Sequence, residues 1–563
     1  MTFVFLLILI ALQLLLLLYF GAQKKGMHFD EFFSYFNTNN SAGREAYDRS
    51  RVTSEQIFQD FYVKPGEQFN YPYVVKLQGY DVHPPVYYLF LHTLCSLMPG
   101  VYSIWQGVAL NIFFALLTTI FWYLIAKELT ENEAAAFLLT LILIVNPGVV
   151  SNVMFVRMYC LLTLWFSIVS YLHLRMEKEG IRPVYIVLNA LLAYVGFLTH
   201  YFYLVFLFFI ELPFAAGYLI GLKRRNGTKA NEESEEKKAG EPKSGFRKEF
   251  GKLLIYYGAL LAAGILAVVS FPQCLGHVHS GYRGKEVQSY LFNLSDFGYR
   301  MKFFGDLLNR YVFGGAGVLF AVFLAVMLVT AYVLMRKEKR QIPDRIFRFL
   351  KTIAIPSAGY YLLSVKASLV GDEAMMRYQL PVYGMILFGG YFLLFSSFEE
   401  LHFTPRFLSS SKIPAGKGTT SEKWARVGPI LAFLCLVSSS IAGISGEKVY
   451  YLYPEQAMMK ETAAKYADLP CVYIYNSEDS KYLLWNDSEQ LWLYDSVYFV
   501  CSENREPLTD ETIRSADELI VYVSTLNEED FGVYADLIER SNPSLRQYEK
   551  LYDAMYAEVY RFY

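Results

Sequence analysis

The feature that most constrains this chain of 563 residues is a series of long apolar runs. A helix needs about 20 apolar residues to cross the hydrocarbon core of a bilayer. The sequence therefore predicts a polytopic α-helical membrane protein with about eleven spans. The count could change by one or two, because 184–221 could form one broken helix and 84–98 could also span. The predicted spans lie at 3–20, 104–126, 134–151, 158–174, 184–199, 201–221, 252–272, 312–335, 347–365, 379–396 and 427–445.

The composition supports this class and excludes others. Charged residues make up 18% of the chain, against about 25% in soluble globular proteins. The apolar content excludes a disordered protein, the six cysteines exclude a disulfide scaffold, and the net charge of -2 excludes a strongly basic nucleic-acid binder. The run at 3–20 has no basic start and no small-residue cleavage site, so we interpret it as a retained anchor.

The small net charge is the sum of two unlike parts. Residues 447–563 have a net charge of -13 and residues 1–446 have +11. If the N-terminus is inside, the inner segments hold 26 basic residues and the outer segments of the membrane part hold 15. The positive-inside rule therefore predicts a cytoplasmic N-terminus and an extracytoplasmic tail. Lys24 and Lys25 lie on the unexpected side of the membrane.

The acidic tail, 447–563, has the pattern of a small α/β domain. Three β-rich runs lie at 471–476, 496–501 and 519–524, and alternating strands and helices are typical of this class. Cys471 and Cys501 lie on two of these runs, and spacing alone leaves a disulfide between them open. Candidate helices lie at 455–466, 529–541 and 545–555.

The long outer segment at 21–103 begins with an unusual pair of acids. Asp30 and Glu31 lie among phenylalanines and tyrosines directly after the first span. Carboxylates beside apolar surface at a membrane face are costly and indicate either function or an interfacial helix with solvated acids. Adjacent helical positions point about 100° apart, so we expect Asp30 and Glu31 to have different roles.

Other polar residues interrupt apolar runs at the predicted outer ends of spans. His83 precedes Pro84 and Pro85, which cannot lie inside a helix but can begin one. Each such residue alone could be a structural turn or an interfacial side chain, but their agreement indicates one site. Carboxylates could act as a base for an acceptor hydroxyl and arginines could hold a phosphate. The remaining members are Arg157, His200, Arg377 and Tyr378.

Two further features have an alternative interpretation. Glu211 lies in the middle of a span, where an acid indicates a transport pathway or a buried polar contact. His277 and His279 would share a face on a strand and could ligate a metal, but no third ligand is evident and a polar loop is favoured.

Together these motifs resemble those of GT-C-type membrane glycosyltransferases, over roughly residues 1–400. The motifs are the Asp-Glu pair after the first span, His-Pro-Pro-x-Tyr-Tyr from His83, Arg-Met-Tyr from Arg157, Thr-His-Tyr around His200, and Arg-Tyr-x-x-Pro from Arg377. The branch that they most resemble contains bacterial relatives of the family 39 dolichyl-phosphate-mannose protein mannosyltransferases.

The resemblance implies an inverting transfer of a hexose or pentose from a polyprenyl phosphate to an acceptor hydroxyl. The acceptor would be a protein, a lipid or a cell-wall glycan, and the reaction would take place on the outer face of a bacterial plasma membrane. It implies that Asp30 is the catalytic base or helps to bind a metal or the acceptor, and it implies the same, more weakly, for Glu31. The residues implied in substrate binding are His83, Arg157, Tyr159, His200, Tyr201, Arg377 and Tyr378.

The chain departs from the family pattern at Phe155. Many relatives have an acid just before the Arg-Met-Tyr segment, so this departure puts in doubt a second-loop acid and a site for Mg²⁺ or Mn²⁺. The competing classes are a transporter or lipid flippase and a non-enzymatic anchor for the tail. A transporter predicts internal repeats and several polar residues inside spans, whereas the sequence has no evident repeat and Glu211 is nearly alone.

Overall fold

The structure, a computed structural model, describes residues 2–40, 50–232, 242–293, 295–401, 448–477, 484–501, 504–526 and 530–563. This part of the chain is mostly α-helical and contains a six-stranded sheet. The span predicted at 427–445 lies outside the described residues, as does the junction at which the tail is predicted to begin.

Six helices of the described residues are long and apolar enough to cross a membrane, as in a multi-pass membrane protein. They are Thr2–Gln23, Ile104–Thr130, Tyr203–Lys223, Phe246–Ser270, Gly317–Lys337 and Leu380–Glu400. The predicted number of about eleven is not confirmed. The runs predicted at 158–174, 184–199 and 347–365 form helices that are shorter or more polar, namely Tyr159–Glu179, Pro183–Phe197 and Ile355–Ala367.

The run predicted as a span at 134–151 forms two helices that could make a seventh, broken span. Glu133–Ile144 and Pro147–Met154 meet at a bend of 58°. Pro147 has no N–H group to continue the first helix. The side chain of Asn146 instead accepts hydrogen bonds from the first N–H groups of the second helix, which it caps.

The outer segment forms short helices that pack above the membrane helices. Among its described residues these are Phe29–Asn39, Ser54–Phe58, Tyr71–Gln78 and Val86–Ser96. Gly107 allows the helix Ile104–Thr130 to approach them, since a Cβ atom there would lie 2.9 Å from the hydroxyl of Tyr35. A second group of short helices connects later spans, at Gln273–His279, Tyr282–Phe292 and Phe297–Phe313.

The tail contains the predicted α/β arrangement. Its strands are β2 (Cys471–Ile474), β3 (Ser496–Val500), β4 (Leu519–Ser524), β5 (Tyr548–Asp553) and β6 (Ala557–Phe562). β2 pairs in parallel with β3 and β4, so the three predicted β-rich runs are confirmed. Four helices accompany them in the described residues, at Gln456–Lys465, Ser488–Leu491, Glu511–Arg514 and Phe531–Ser541.

The helix predicted at 545–555 is wrong. This segment contains β5, which turns back into β6 as an antiparallel hairpin, and β6 pairs with β4. Local sequence allows either structure here, but the edge of β6 that faces away from β4 offers a row of backbone groups that a strand can satisfy. The pairing partner therefore decides the conformation of this segment.

The sheet includes one strand from outside the tail. β1 (Arg51–Thr53), in the outer segment, pairs antiparallel with β3, which gives the order β1-β3-β2-β4-β6-β5. Trp485 of the tail stacks on Phe33, which lies in the helix Phe29–Asn39 of the outer segment, at 4.7 Å between ring centroids. The tail and the outer segment therefore share a sheet and an aromatic core.

The two tail cysteines do not form a disulfide. Both thiols are buried, and no disulfide joins them. In the parallel pair of β2 and β3, Cys471 lies opposite Val497, whereas Cys501 follows the end of β3. The thiols therefore lie at opposite ends of the two strands, about 13 Å apart at 3.3 Å per residue, which is too far for a bridge.

Candidate functional site

Asp30 and Arg377 form an ion pair where several membrane helices end. Nε of Arg377 lies 3.1 Å from Oδ2 of Asp30. Arg377 is buried, whereas 15% of the side-chain surface of Asp30 is exposed to solvent. Burial raises the pKa of the Asp30 carboxyl, but the guanidiniums of Arg377 and Arg157 outweigh it and hold that pKa below its usual value. Asp30 is therefore an ionised, partly accessible carboxylate.

Glu31 faces away from Asp30 into the protein. Its carboxylate accepts hydrogen bonds from the backbone N–H groups of Val156 (2.8 Å) and His28 (2.9 Å) and from Nζ of Lys24 (3.1 Å). The side chains of Glu31 and Lys24 are completely buried. The two adjacent acids thus have different surroundings, as expected from their different directions on the helix. Glu31 connects its own helix to Lys24 and to the backbone at Val156.

Lys24 is a residue of this region that sequence reasoning missed. It was the charge that disagreed with the predicted orientation, and it is buried against Glu31. Its ammonium also donates a hydrogen bond of 2.6 Å to the backbone carbonyl of Tyr451. A lysine that violates the positive-inside rule can therefore indicate a buried ion pair, which was the available signal.

His28 was also missed, and it begins the helix that carries Asp30. Its Nδ1 accepts a hydrogen bond from the backbone N–H of Asp30, and Glu31 completes a capping box with the His28 N–H. Burial lowers the pKa of His28 to about 3, so its ring is neutral at physiological pH. Histidine is not among the preferred capping residues, which explains why the pattern was not recognised.

Arg157 is a buried cation whose contacts are to neutral groups. Its Nη1 donates to Oγ of Ser34 at 3.3 Å, and it is 3% exposed. Among the described residues, no carboxylate lies within 4.0 Å of its guanidinium, and its buried Nε has no hydrogen-bond partner there. Asp30 and Asp81 favour the charged form of Arg157 without contacting it, and its unpartnered N–H group can still bind the oxygen of an external anion.

Two histidines lie beside Arg157. Nδ1 of His83 lies 3.0 Å from Oδ2 of Asp81. If Nδ1 carries the ring proton and donates it to Asp81, Nε2 can accept a hydrogen bond from Nη2 of Arg157, which lies 3.5 Å away. The ring of His200 lies 6.2 Å from that of His83. Burial lowers the pKa of both imidazoles, and the Arg157 guanidinium acts in the same direction. Both rings are therefore neutral at pH 7 and can donate or accept hydrogen bonds.

Aromatic rings connect these polar groups. The ring of Tyr159 lies 5.6 Å from that of His200 and 6.3 Å from that of Tyr378, between centroids. The guanidinium of Arg377 lies 5.0 Å from the centre of the Tyr378 ring. The structure thus brings together, in one connected group, Asp30, His83, Arg157, Tyr159, His200, Arg377 and Tyr378.

Tyr201 is not part of this group. Its hydroxyl bonds to Nδ1 of His277 at 2.8 Å, and its ring packs against Phe197. His277 and His279 lie on the helix Gln273–His279 rather than on a strand. Residues two positions apart on a helix do not share a face, so the two histidines have no common ligand position, and the polar loop favoured for this segment is a helix instead.

Glu211 has a set of polar partners inside its span. It accepts hydrogen bonds from the hydroxyls of Tyr256 (2.5 Å) and Tyr257 (3.1 Å), and its Oε1 lies 3.1 Å from Nε2 of His173. The residue therefore corresponds to the buried polar contact, which was one of the two interpretations of an acid inside a membrane helix.

The family resemblance left open whether the site binds a divalent metal ion. The residues of the site do not suit such an ion. The carboxylate of Asp30 faces two guanidiniums, whose charge opposes a cation. The ring of Phe155 packs against that of Tyr451 at 4.1 Å between centroids, so this position offers no ligand to a metal ion. Among the described residues, no three His, Cys, Asp or Glu side chains come together as a metal site. We therefore derive no step through a metal ion.

Comparisons with known proteins identify a structural likeness but no family. The chain matches no protein-family profile and no curated protein. It is similar in structure to the archaeal oligosaccharyltransferase AglB from Archaeoglobus fulgidus, solved in complex with an inhibitory peptide and a dolichol-phosphate. The likeness has a TM-score of 0.41 at 10% sequence identity and covers 95% of this chain and 71% of that chain. A likeness at this level carries no conclusion about substrate or reaction.

Proposed function

We propose that this protein is a membrane glycosyltransferase that moves a sugar from a polyprenyl-phosphate donor to an acceptor hydroxyl. The observation that carries the proposal is the buried Arg157, with neutral neighbours, beside the ion pair of Asp30 and Arg377. Arg157 supplies a site for an anion, and the ion pair supplies the carboxylate of Asp30. The motif resemblance described above supports the same assignment.

The donor phosphate binds to the guanidiniums of Arg157 and Arg377. Arginine presents several N–H donors in a planar fork that matches phosphate oxygens. The polyprenyl chain stays in the bilayer, while the phosphosugar reaches the residues at the helix ends. Positive charge at this position also stabilises the phosphate as it leaves.

Binding of the phosphate changes the state of Asp30. In the structure, Arg377 and Arg157 lower the pKa of the Asp30 carboxyl, which makes it a weak base. A phosphate that takes up part of the guanidinium charge raises this pKa towards its usual range. Asp30 is then better suited to accept the proton of the acceptor hydroxyl.

The transfer is a direct displacement. The acceptor oxygen forms a bond to the anomeric carbon, the bond from that carbon to the phosphate oxygen breaks, and the proton passes to Asp30. This inverts the anomeric centre, as the resemblance implies. The neutral His83 and His200 are suited to hydrogen-bond sugar hydroxyls, and Tyr159 and Tyr378 offer apolar ring surface to the sugar.

The test measures the consumption of a radiolabelled lipid-linked sugar by membranes that contain the full-length protein. A panel of polyprenyl-phosphate hexoses and pentoses covers the sugar classes. We expect Asp30→Asn to lower transfer at least 100-fold, within the range that acid–base catalysis contributes. Asp306→Asn is the matched control, because Asp306 is exposed on the helix Phe297–Phe313 and should leave transfer unchanged.

Two results would contradict the proposal. If the Asp30→Asn variant transfers sugar at the wild-type rate, Asp30 is not the base that accepts the proton of the acceptor hydroxyl. If the wild-type protein consumes no donor, but moves a lipid-linked sugar across the bilayer of a vesicle, the protein is a flippase. Extraction of labelled lipid away from labelled product measures transfer, and exposure of the labelled lipid to a membrane-impermeant reagent measures its movement across the bilayer.

A further inference from the structure

Tyr451 lies at the point where the tail enters the candidate site. It is 1% exposed and belongs to the short described segment that precedes the helix Gln456–Lys465. Its ring stacks on that of Phe155 at 4.1 Å between centroids. This segment lies far from Asp30 and Arg377 in sequence, so only the fold connects it to the site.

The side chain of Tyr451 is tied to Arg377. Its hydroxyl donates a hydrogen bond of 2.8 Å to the carbonyl oxygen of Ala374. The same carbonyl accepts a hydrogen bond of 3.3 Å from Nη1 of Arg377. Tyr451 and Arg377 therefore share one acceptor in the turn Glu373–Tyr378, and the hydroxyl restrains the backbone on which the guanidinium rests.

The backbone of Tyr451 is tied to the helix of Asp30. Its carbonyl accepts the 2.6 Å hydrogen bond from Lys24, whose ammonium pairs with Glu31 at 3.1 Å. Glu31 is the neighbour of Asp30 and caps the same helix. One residue thus contacts both segments that supply the ion pair, through its hydroxyl on one side and its carbonyl on the other.

The backbone conformation of Tyr451 is unusual. Its φ angle is +65°, and Tyr453 has a φ angle of +49°. Residues with a side chain rarely adopt this left-handed region, which costs about 1–3 kcal/mol and persists where the surroundings over-determine it. Such conformations concentrate at functional sites, and here the strained residue is the one that contacts both segments.

We propose that Tyr451 is a positioning residue that sets the separation of Asp30 and Arg377, and so couples the tail to the site. Its catalytic consequence rests on the proposed function, because the pair acts there as base and phosphate ligand. The coupling itself is a property of the fold and can be measured without the reaction.

The first test is hydrogen–deuterium exchange on the full-length protein. Tyr451→Phe keeps the ring and the backbone carbonyl and removes only the hydroxyl. We expect about fivefold faster exchange in the turn Glu373–Tyr378, since one hydrogen bond contributes about 1 kcal/mol. Tyr80→Phe, which changes an exposed tyrosine of the outer segment, is the control, with no change expected in this turn. Unchanged exchange in Tyr451→Phe overturns the proposal, whether or not sugar transfer is observed.

The second test is a double-mutant cycle with Arg377→Lys on the rate of sugar transfer. We expect Tyr451→Phe alone to lower kcat five- to tenfold and to change KM less than twofold. If it acts through Arg377, the same change lowers the rate less than twofold in the Arg377→Lys background. Equal effects in both backgrounds would show a merely structural role and overturn the proposal.

The two tests separate this inference from the proposed function. If the wild-type protein consumes no lipid-linked sugar but Tyr451→Phe still loosens the turn, the proposed function fails and the coupling holds. If transfer occurs and neither exchange nor kcat responds to Tyr451→Phe, the coupling fails and the proposed function holds. Thermal melting of each variant establishes that equal amounts of folded protein are compared.

Discussion

Nε of Arg377 contacts Oδ2 of Asp30 at 3.1 Å, although Asp30 follows the first membrane helix and Arg377 precedes the last described one. The contact brings residues from the beginning and the end of the membrane part together in one site. It also determines the charge state of the carboxylate, because Arg377 is the strongest of the charges that lower the pKa of Asp30.

Arg377→Lys should change both the rate of transfer and its dependence on pH. Lysine keeps the charge but loses the planar fork, so we expect transfer to fall on the order of tenfold. With weaker pairing, the pKa of Asp30 rises, and a larger fraction is protonated at low pH. The acid limb of kcat/KM should therefore move to higher pH, measured between about pH 4 and 8. Arg546→Lys, an exposed change in the tail, is the control, and an unmoved acid limb would count against the pairing.

Glu31→Gln should affect stability more than the chemical step. Removing one partner of a buried ion pair leaves Lys24 uncompensated, which costs about 3–5 kcal/mol. We expect a lower thermal midpoint for the solubilised protein and a smaller, few-fold fall in activity per folded molecule, because Lys24 and Glu31 connect Tyr451 to the helix of Asp30. The double variant Lys24→Met with Glu31→Gln should recover part of the stability. A Glu31→Gln protein that melts like the wild type but transfers no sugar would show that Glu31 is catalytic.

Gly26→Ala should weaken the contact between the first helix and the tail. A Cβ atom at this position would lie 2.4 Å from Cγ of Gln456 and 3.2 Å from Cβ of Tyr453. Overpacking of this kind costs about 1–3 kcal/mol, and the thermal midpoint should fall accordingly. Gly258→Ala is the control, because no neighbouring atom lies within 4 Å of the added methyl group there. Equal melting of both variants would contradict the close approach.

Asp487→Asn should remove a dependence of stability on pH in the tail. Burial raises the pKa of Asp487 to about 7, although the hydroxyl of Tyr473 donates to its carboxylate at 2.9 Å. A group whose pKa is raised on folding contributes stability that is present below its unfolded pKa, about 4, and lost as the pH rises through 7. We therefore expect the variant to be more stable than the wild type at pH 8, by up to about 4 kcal/mol.

Thermal midpoints of the full-length protein between pH 5 and pH 8 measure this effect. The wild-type midpoint should fall over this interval, and the midpoint of Asp487→Asn should fall less. Asp536→Asn changes an exposed acid on the helix Phe531–Ser541 and should behave like the wild type. Parallel curves for Asp487→Asn and the wild type would contradict the raised pKa.

The sequence by itself was sufficient for features that depend on local spacing. Six of the predicted apolar runs form helices long and apolar enough to cross a membrane, and β-rich runs predicted β2, β3 and β4. The helical step between Asp30 and Glu31 predicted their different surroundings. These features follow from the periods of helix and strand and from the cost of polar groups in an apolar medium, which operate over a few residues.

Tertiary structure alone decided which residues meet. The pairing of Asp30 with Arg377, the burial of Lys24 against Glu31 and the exclusion of Tyr201 depend on how distant segments pack. The segment at 545–555 became a strand because β6 offered it a partner, and β1 joined the sheet from the outer segment. Spacing along the chain restricts the local conformation, whereas contacts between distant residues are selected by the packing of the whole fold.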